Sequence, residues 1–334
     1  MNIFLRTFNP DINSKTGISL PPNAPRRGTS EWLEFEKLLI ECLESLGHSG
    51  FLQLENPKYP DIDYADQFNG EEFHKRGYVH KTKRDCPHGD FYWMQMHLLN
   101  LFTFDTKGWG VEHSEYPEYP GFPDLVPEDA IEEIQGLSEQ LQVSGISKCP
   151  QDEKLSETPS RFILVPIQTP RDYTIKYHSP ITVKYFIDSI SLWAEETQNN
   201  VAFKLHPFNK HDGDLIESVQ TGSQRSRYVH KVEGNIHELI KRSSGLFLIN
   251  SGTGFEALIH GKPVCTFGAC DYNKVTFNAD IRRIDEARNF IYSYSPSFRE
   301  TAYKFIWYYM NLHAYDLTKP NTKDRLTNYL KGIL

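Results

Sequence analysis

The stretch that decides the fold is LFLINSGTGFEALIHGKPV, residues Leu246–Val264. A short apolar run stops at Asn250. The small and polar residues Ser251, Gly252, Thr253 and Gly254 follow. Apolar residues then resume at helical spacing until Gly261, Lys262 and Pro263 end the run. This is a strand feeding a tight turn that opens a helix, with another strand, PVCTFG, behind it. Two upstream stretches have the same form: FILVPIQTPRD (Phe162–Asp172) and VAFKLHPFN (Val201–Asn209). The segments SPITVKYFIDSISLWAEETQ, GNIHELIKRSS and GFEALIHG read as helices between the strands. Alternating β and α elements predict a parallel sheet with helices on both faces. Parallel strands place Gln168, Asp172, Lys204, His206, Ser251 and Thr253 at one carboxyl edge, where ligands bind in open α/β sheets.

The first part of the chain also opens β then α. NIFLRTF reads as a strand and SEWLEFEKLLIECLESLGHSG as a helix, with Ser30 at its N-cap and Gly47 as its stop. LPPNAPRRG is a proline-rich loop, and residues 56–90 are irregular. A helix over residues 90–99, a strand LFTFD and a glycine-flanked turn come next. YPEYPGFPD reads as a loop and PEDAIEEIQGLSEQLQVSG as an acidic helix with Pro127 near its first turn. The polar stretch 147–160 reads as a linker, dividing the chain into domains 1–155 and 156–334. The second domain closes with an aromatic-rich helix, SPSFRETAYKFIWYYMNLHAY, and an amphipathic piece, TKDRLTNYLKGIL.

Bulk properties narrow the classes. A length of 334 residues suits two domains with a sizeable core. A net charge of −8 argues against a nucleic-acid binder built on phosphate contacts and against a basic membrane anchor. Five scattered cysteines without a CxxC pair suit a reduced, cytoplasmic protein. The amino terminus MNIFLRTFNPDINS lacks the cationic flank and long apolar stretch of a signal peptide. No run reaches the ~18 apolar residues that would span a bilayer. The 18 Tyr and 21 Phe supply core packing, and stacking platforms for sugars or bases.

The motif residues carry definite chemistry. A helix amino terminus exposes N–H groups and the positive end of its dipole, so the Ser251–Gly254 loop suits a phosphate. Glu256, in the first helical turn, suits a cap or a grip on ribose hydroxyls. A capped βα turn without a ligand is the alternative. Pro207 forces His206 towards extended backbone, and Lys204, two residues before, shares its face and suits an anionic ligand. Asp172 offers a base or nucleophile and Arg171 a partner for an acidic sugar. The alternative there is an Arg–Asp pair in a turn. FTFDTKGWGVEHS offers Asp105, Trp109, Glu112, His113 and Ser114 as an opposite wall, with a buried aromatic turn as the alternative. HDGD (His211–Asp214) reads as a solvated turn.

The order Q-x-x-x-D, K-x-H-P, N-S-x-x-G-x-E-A-L-x-x-G-K-P resembles the capsule polysaccharide synthesis family, which includes retaining β-Kdo glycosyltransferases. The three motifs span about 100 residues of the second half and are specific only as an ordered set. The resemblance implies a GT-B-like α/β fold, with two Rossmann-like domains whose parallel sheets face a central cleft. It implies CMP-Kdo as donor, a glycan or glycolipid acceptor, and neither cofactor nor metal. By carry-over, Lys204, His206, Pro207, Asn250, Ser251, Gly252, Thr253, Gly254 and Glu256 bind the nucleotide. Asp172 is the catalytic carboxylate, acting with His206, and Gln168 and Arg171 contact substrate. Asp105 is the nearest match to an acidic residue in an ED-G-x-x-R-S-like stretch, although the arginine is absent. Gly252 and Thr253 depart mildly from S-T-V-like residues. Work at the inner face of the cytoplasmic membrane, or within a polysaccharide-assembly complex, fits this reading. The alternatives are a sialyltransferase-like or epimerase-like nucleotide-sugar enzyme, and a non-catalytic subunit.

Overall fold

A computed structural model describes residues 1–8, 30–55, 73–151, 154–209 and 212–334. The LPPNAPRRG loop, residues 56–72 and His211 lie outside the described residues. The chain forms two compact units. Unit 1 comprises residues 1–116 and 310–334, and unit 2 residues 117–309.

Unit 1 begins with β1 (Asn2–Phe8), α1 (Ser30–Ser45), β2 (Ser49–Glu55), β3 (Phe73–Val79), β4 (Phe91–Gln95) and β5 (Leu101–Asp105). β2, β1, β3 and β4 are parallel neighbours, and β5 runs antiparallel to β4. The segment expected as a helix over 90–99 is thus a strand. FYWMQ is a short aromatic run whose residues suit a pleated surface, and its periodicity alone does not separate strand from helix. One face of this sheet buries Ile3, Leu5, Phe91, Trp93, Phe102 and Phe104 against Trp32, Phe35, Leu39 and Leu43 of α1. Gly77 has no room for a side chain, because a Cβ there would come within 2.6 Å of two Phe91 ring carbons.

Unit 2 contains α2 (Ala130–Ser144), β6 (Ile163–Ile167), α3 (Tyr173–His178), α4 (Val183–Thr197), β7 (Val201–Leu205), α5 (Gly213–Arg225), β8 (Val229–Lys231), α6 (Ile236–Arg242), β9 (Gly245–Leu248), α7 (Thr253–Ile259), β10 (Val264–Thr266), β11 (Phe277–Asn278), α8 (Ile284–Tyr292) and α9 (Pro296–Tyr308). Its sheet has the order β11-β10-β9-β6-β7-β8, and every pairing is parallel. Strands such as ILVPI and GLFL are buried along their whole length, as expected of a parallel sheet covered on both faces. Counted from β6, this is the doubly wound Rossmann order, with the reversal between β6 and β9.

The chain then returns to unit 1 through a π-helical turn, Tyr309–His313, followed by β12 (Tyr315–Asp316) and α10 (Thr322–Ile333). β12 pairs antiparallel with β5, and Leu326 and Leu330 of α10 join the core around α1. The units therefore differ from the expected division at residue 155. The acidic helix α2 packs on α9 and α7 and belongs to unit 2, while the last helix belongs to unit 1. Such partners are remote in sequence, and a polar linker-like composition does not reveal them.

Candidate functional site

The strand reversal in unit 2 brings the three motifs together. Gln168 follows β6, and its Nε2 donates to Asn250 Oδ1 at 2.9 Å while its Oε1 accepts from Asn250 N at 3.0 Å. Asn250 Nδ2 donates to Thr174 O at 3.0 Å and Ala269 O at 3.1 Å. The middle motif joins from the other side, with Asn209 Nδ2 donating to Gln168 O at 3.0 Å and His206 N to Ile167 O at 3.1 Å. Gln168 and Asn250 were expected to touch substrate and nucleotide. Their amides are instead spent on holding the loops to one another.

Ser251, Gly252 and Thr253 lie half-buried at the start of α7. Ser251 Oγ donates to Thr253 Oγ1 at 3.2 Å and accepts from Thr253 N at 3.3 Å. Among the described residues, the N–H groups of Ser251 and Gly252 have no acceptor. Gly254 has a packing reason: a Cβ there would lie 2.4 Å from the hydroxyl of buried Tyr272, which itself donates to Ser251 O.

The other motif side chains divide by exposure. Arg171 is exposed, with no partner among the described residues. Asp172 is half-buried and is the N-cap of α3, its Oδ1 accepting from Thr174 N at 2.9 Å and Thr174 Oγ1 at 2.8 Å. His206 Nδ1 accepts from Phe208 N at 3.1 Å, which directs its Nε2 proton towards Cys149 Sγ at 3.6 Å. Pro207 opens the 3-10 turn that makes this contact. Lys204 is 6% exposed within β7 and is not a surface cation beside His206, because the strand ends at Leu205. Asp212 of the HDGD stretch caps α5 and accepts from Leu215 N at 3.3 Å.

Glu256 is held on the far side of its helix turn by partners outside the loop motif. It is 4% exposed, accepts from Ser147 Oγ at 2.7 Å and lies 3.9 Å from His237 Nε2. Beside it runs a chain of bonds with one direction. His237 Nε2 faces Ile146 O at 2.8 Å, which can only accept, so His237 Nδ1 accepts from His260 Nε2 at 2.9 Å. Ser138 Oγ then donates to His260 Nδ1 at 2.8 Å. Burial and the neighbouring His237 press the His260 pKa down to about 4. Sequence reading missed this chain, since its members lie on α2, α6, α7 and a turn. The one available signal was the histidine that closes the helix in IHGKP.

Asp105 in unit 1 is fully buried. It accepts from Lys107 N at 2.8 Å, Ser114 N at 3.0 Å, Ser114 Oγ at 2.6 Å and Tyr329 Oη at 3.0 Å. Burial opposes its ionisation, but the nearby His113 ring and the bonds from Ser114 and Lys107 outweigh burial and hold the carboxyl below its ordinary range. Both oxygens are occupied, so Asp105 is an organiser of its turn and not a free catalytic acid. Strand direction explains the difference. β5 is antiparallel, so Asp105 pairs with Tyr92 near the amino end of β4, away from the carboxyl edge of the parallel strands. Trp109 is buried against His80 at 6.0 Å, and Glu112 pairs with Arg84 at 2.8 Å.

A family model described as capsule polysaccharide biosynthesis protein matches residues 111–286, more than half of the chain. The chain belongs to this family. The capsule-synthesis match covers all three motifs and most of unit 2. Protein FixF of Sinorhizobium fredii is 35% identical over 116 residues, which are 34% of this chain and 27% of that protein. The chain thus spans about a quarter of the length of that curated relative. Among solved structures, the beta Kdo 2,7 transferase of Thermosulfurimonas dismutans KpsC matches with a TM-score of 0.53 at 16% identity, over 99% of this chain and 100% of that one. The beta Kdo 2,4 transferase of the same protein gives a TM-score of 0.47 at 15% identity, over 87% of this chain and 94% of that one. The fold is GT-B-like.

Proposed function

We propose that the chain transfers Kdo from CMP-Kdo to a glycan or glycolipid acceptor, with retention of the β configuration. The observation that carries this reading is the joining of the three motifs by Gln168 at the strand reversal of unit 2. The matched family and the KpsC transferase fold support it. The Ser251 and Gly252 N–H groups and the Ser251 and Thr253 hydroxyls would receive the CMP phosphate. His206, fixed by Phe208 N, would stand beside it with its Nε2 proton. Arg171, being exposed, would meet the Kdo carboxylate better than buried Lys204. Asp172 would act at the anomeric carbon. Retention follows from two inversions through its carboxylate or from attack on the front face. The donor supplies the leaving group, so no cofactor enters this scheme.

The cap geometry gives a clean test. Asparagine is as good an N-cap as aspartate, so Asp172→Asn keeps α3 while removing the carboxylate. Turnover of CMP-Kdo should fall roughly a hundredfold or more with CMP affinity retained; near-normal turnover would sink the assignment. Calorimetry with CMP, CDP, UMP, UDP and GDP tests the donor. Preference for CMP, lost in His206→Ala, is the expected result. Preference for UDP or GDP would overturn the Kdo donor, and binding without turnover would favour a non-catalytic subunit.

A further inference from the structure

Three side chains in unit 1, His113, Glu115 and His313, each offer a ligand atom within 4.8 Å of the others. We propose that they bind one divalent transition-metal ion of the zinc class. The inference rests on unit 1 alone and is independent of the donor reading.

The set is built from two segments remote in sequence. His113 and Glu115 flank Ser114, whose N–H and hydroxyl are both held by Asp105. The one residue between the two ligands is therefore locked to a buried carboxylate. His313 is the last residue of the π-helical turn, a rare conformation found mostly at functional sites. Arg325 steadies the backbone on both sides of it, its guanidinium donating to Ala314 O at 2.9 Å and also to Leu312 O. Those bonds direct the arginine to carbonyls. Ligands backed in this way by outer hydrogen bonds are characteristic of metal sites.

The charge balance also suits a cation. The two imidazole rings lie 4.2 Å apart at 54°, and both residues are buried. The Glu115 carboxylate lies against the His313 ring, with Oε2 2.7 Å from Nδ1. With Asp105 behind, two carboxylates face two histidines. Two imidazole nitrogens and one carboxylate oxygen select zinc, or another late first-row ion, over magnesium or calcium. The Glu115 side chain is 38% exposed, which leaves a path for the ion and a position for water. Loading has a stated cost. The 2.7 Å bond between His313 Nδ1 and Glu115 Oε2 is exchanged for metal bonds, and His113 gives up Glu115 N–H as a partner of its Nδ1.

The test uses the full chain without an affinity tag, stripped with a chelator and titrated with cobalt(II). Expected are one equivalent bound at micromolar ion, visible bands of a low-coordinate N/O site, displacement by zinc and a melting temperature several degrees higher with zinc. His313→Ala and Glu115→Gln should both abolish the bands, with far-UV circular dichroism reporting the fold. Glu115→Gln decides the matter if His313→Ala does not fold. Absence of saturable cobalt binding by the wild-type chain overturns the proposal, and so does unchanged binding by the folded Glu115→Gln variant.

Discussion

The two units each hold a pair of histidines in contact, and the pairs are set in different surroundings. In unit 2, His237 and His260 are links in a one-way series from Ser138 to Ile146 O, and His260 is driven towards its neutral form. In unit 1, His113 and His313 lie against Glu115 and near Asp105, both held ionised. Residue type is shared, and three of the four rings are buried while His260 is half-buried. The difference is what the partners can do with a positive charge. A hydroxyl and a carbonyl set the hydrogen-bond order of the first pair, with the Glu256 carboxylate 3.9 Å away, whereas in the second pair a carboxylate bonds His313 directly at 2.7 Å. A pair of touching histidines is therefore not one kind of feature.

The strongest way to break this contrast is His237→Ala. The side chain is wholly buried, and its loss strands Ile146 O and His260 Nε2 and opens a cavity. Urea denaturation should show a loss of about 3 kcal/mol, while cobalt uptake stays at the wild-type level. If cobalt uptake fell as well, the two pairs would not be independent.

Acid should separate the pairs by pH. The His260 pKa falls from 6.5 unfolded to about 4 folded, so the unfolded chain binds the extra proton. Its contribution is present above pH 6.5, declines as pH falls towards 4 and is lost below. The loss amounts to about 2 kcal/mol after allowance for solvent screening. Asp105 and Glu115 have depressed pKa values, so their contributions persist through that window and fade only at more acidic pH. Denaturation midpoints measured from pH 7 to 3 should show the two phases in that order.

Two small substitutions sharpen the comparison. Ser114→Ala removes a donor to a buried carboxylate, so it should cost about 1.5 kcal/mol in urea denaturation and weaken cobalt binding. Ser138→Ala removes one neutral hydrogen bond from a half-buried site, at a cost of about 1 kcal/mol. It should also let His260 accept a proton more readily in the folded chain, so the acid-dependent loss becomes smaller and is complete at a higher pH. An acid profile identical to wild type would show that the Ser138 bond does not set the His260 proton.

Unit 2 was legible in the sequence because its strands are continuous apolar runs, each cut off by the residues that form the carboxyl edge. What those edge residues do was only partly legible. Gln168, Asn250 and Gly254 were read as ligand contacts, yet two are clasps and the third makes room for Tyr272. Polar residues that bind a ligand and polar residues that bind one another look alike in a sequence. Unit 1 was harder to read. The direction of β5 depends on its neighbour, and it places Asp105 away from the carboxyl edge of the parallel strands, which its local sequence does not reveal. His113 and His313 stand at opposite ends of the chain's excursion through unit 2, and no local pattern joins them.

That excursion also orders the making of the molecule. Unit 2 is continuous, so it can close while the rest of the chain is still being synthesised. Unit 1 cannot. Until β12 emerges, β5 offers an unpaired edge, and until α10 emerges, the apolar face shared with α1 lacks Leu326 and Leu330. The strands made before unit 2 are sealed only after it is complete. A nascent chain halted before residue 310 would carry a finished Rossmann unit beside an open, adhesive sheet, a natural client for a chaperone.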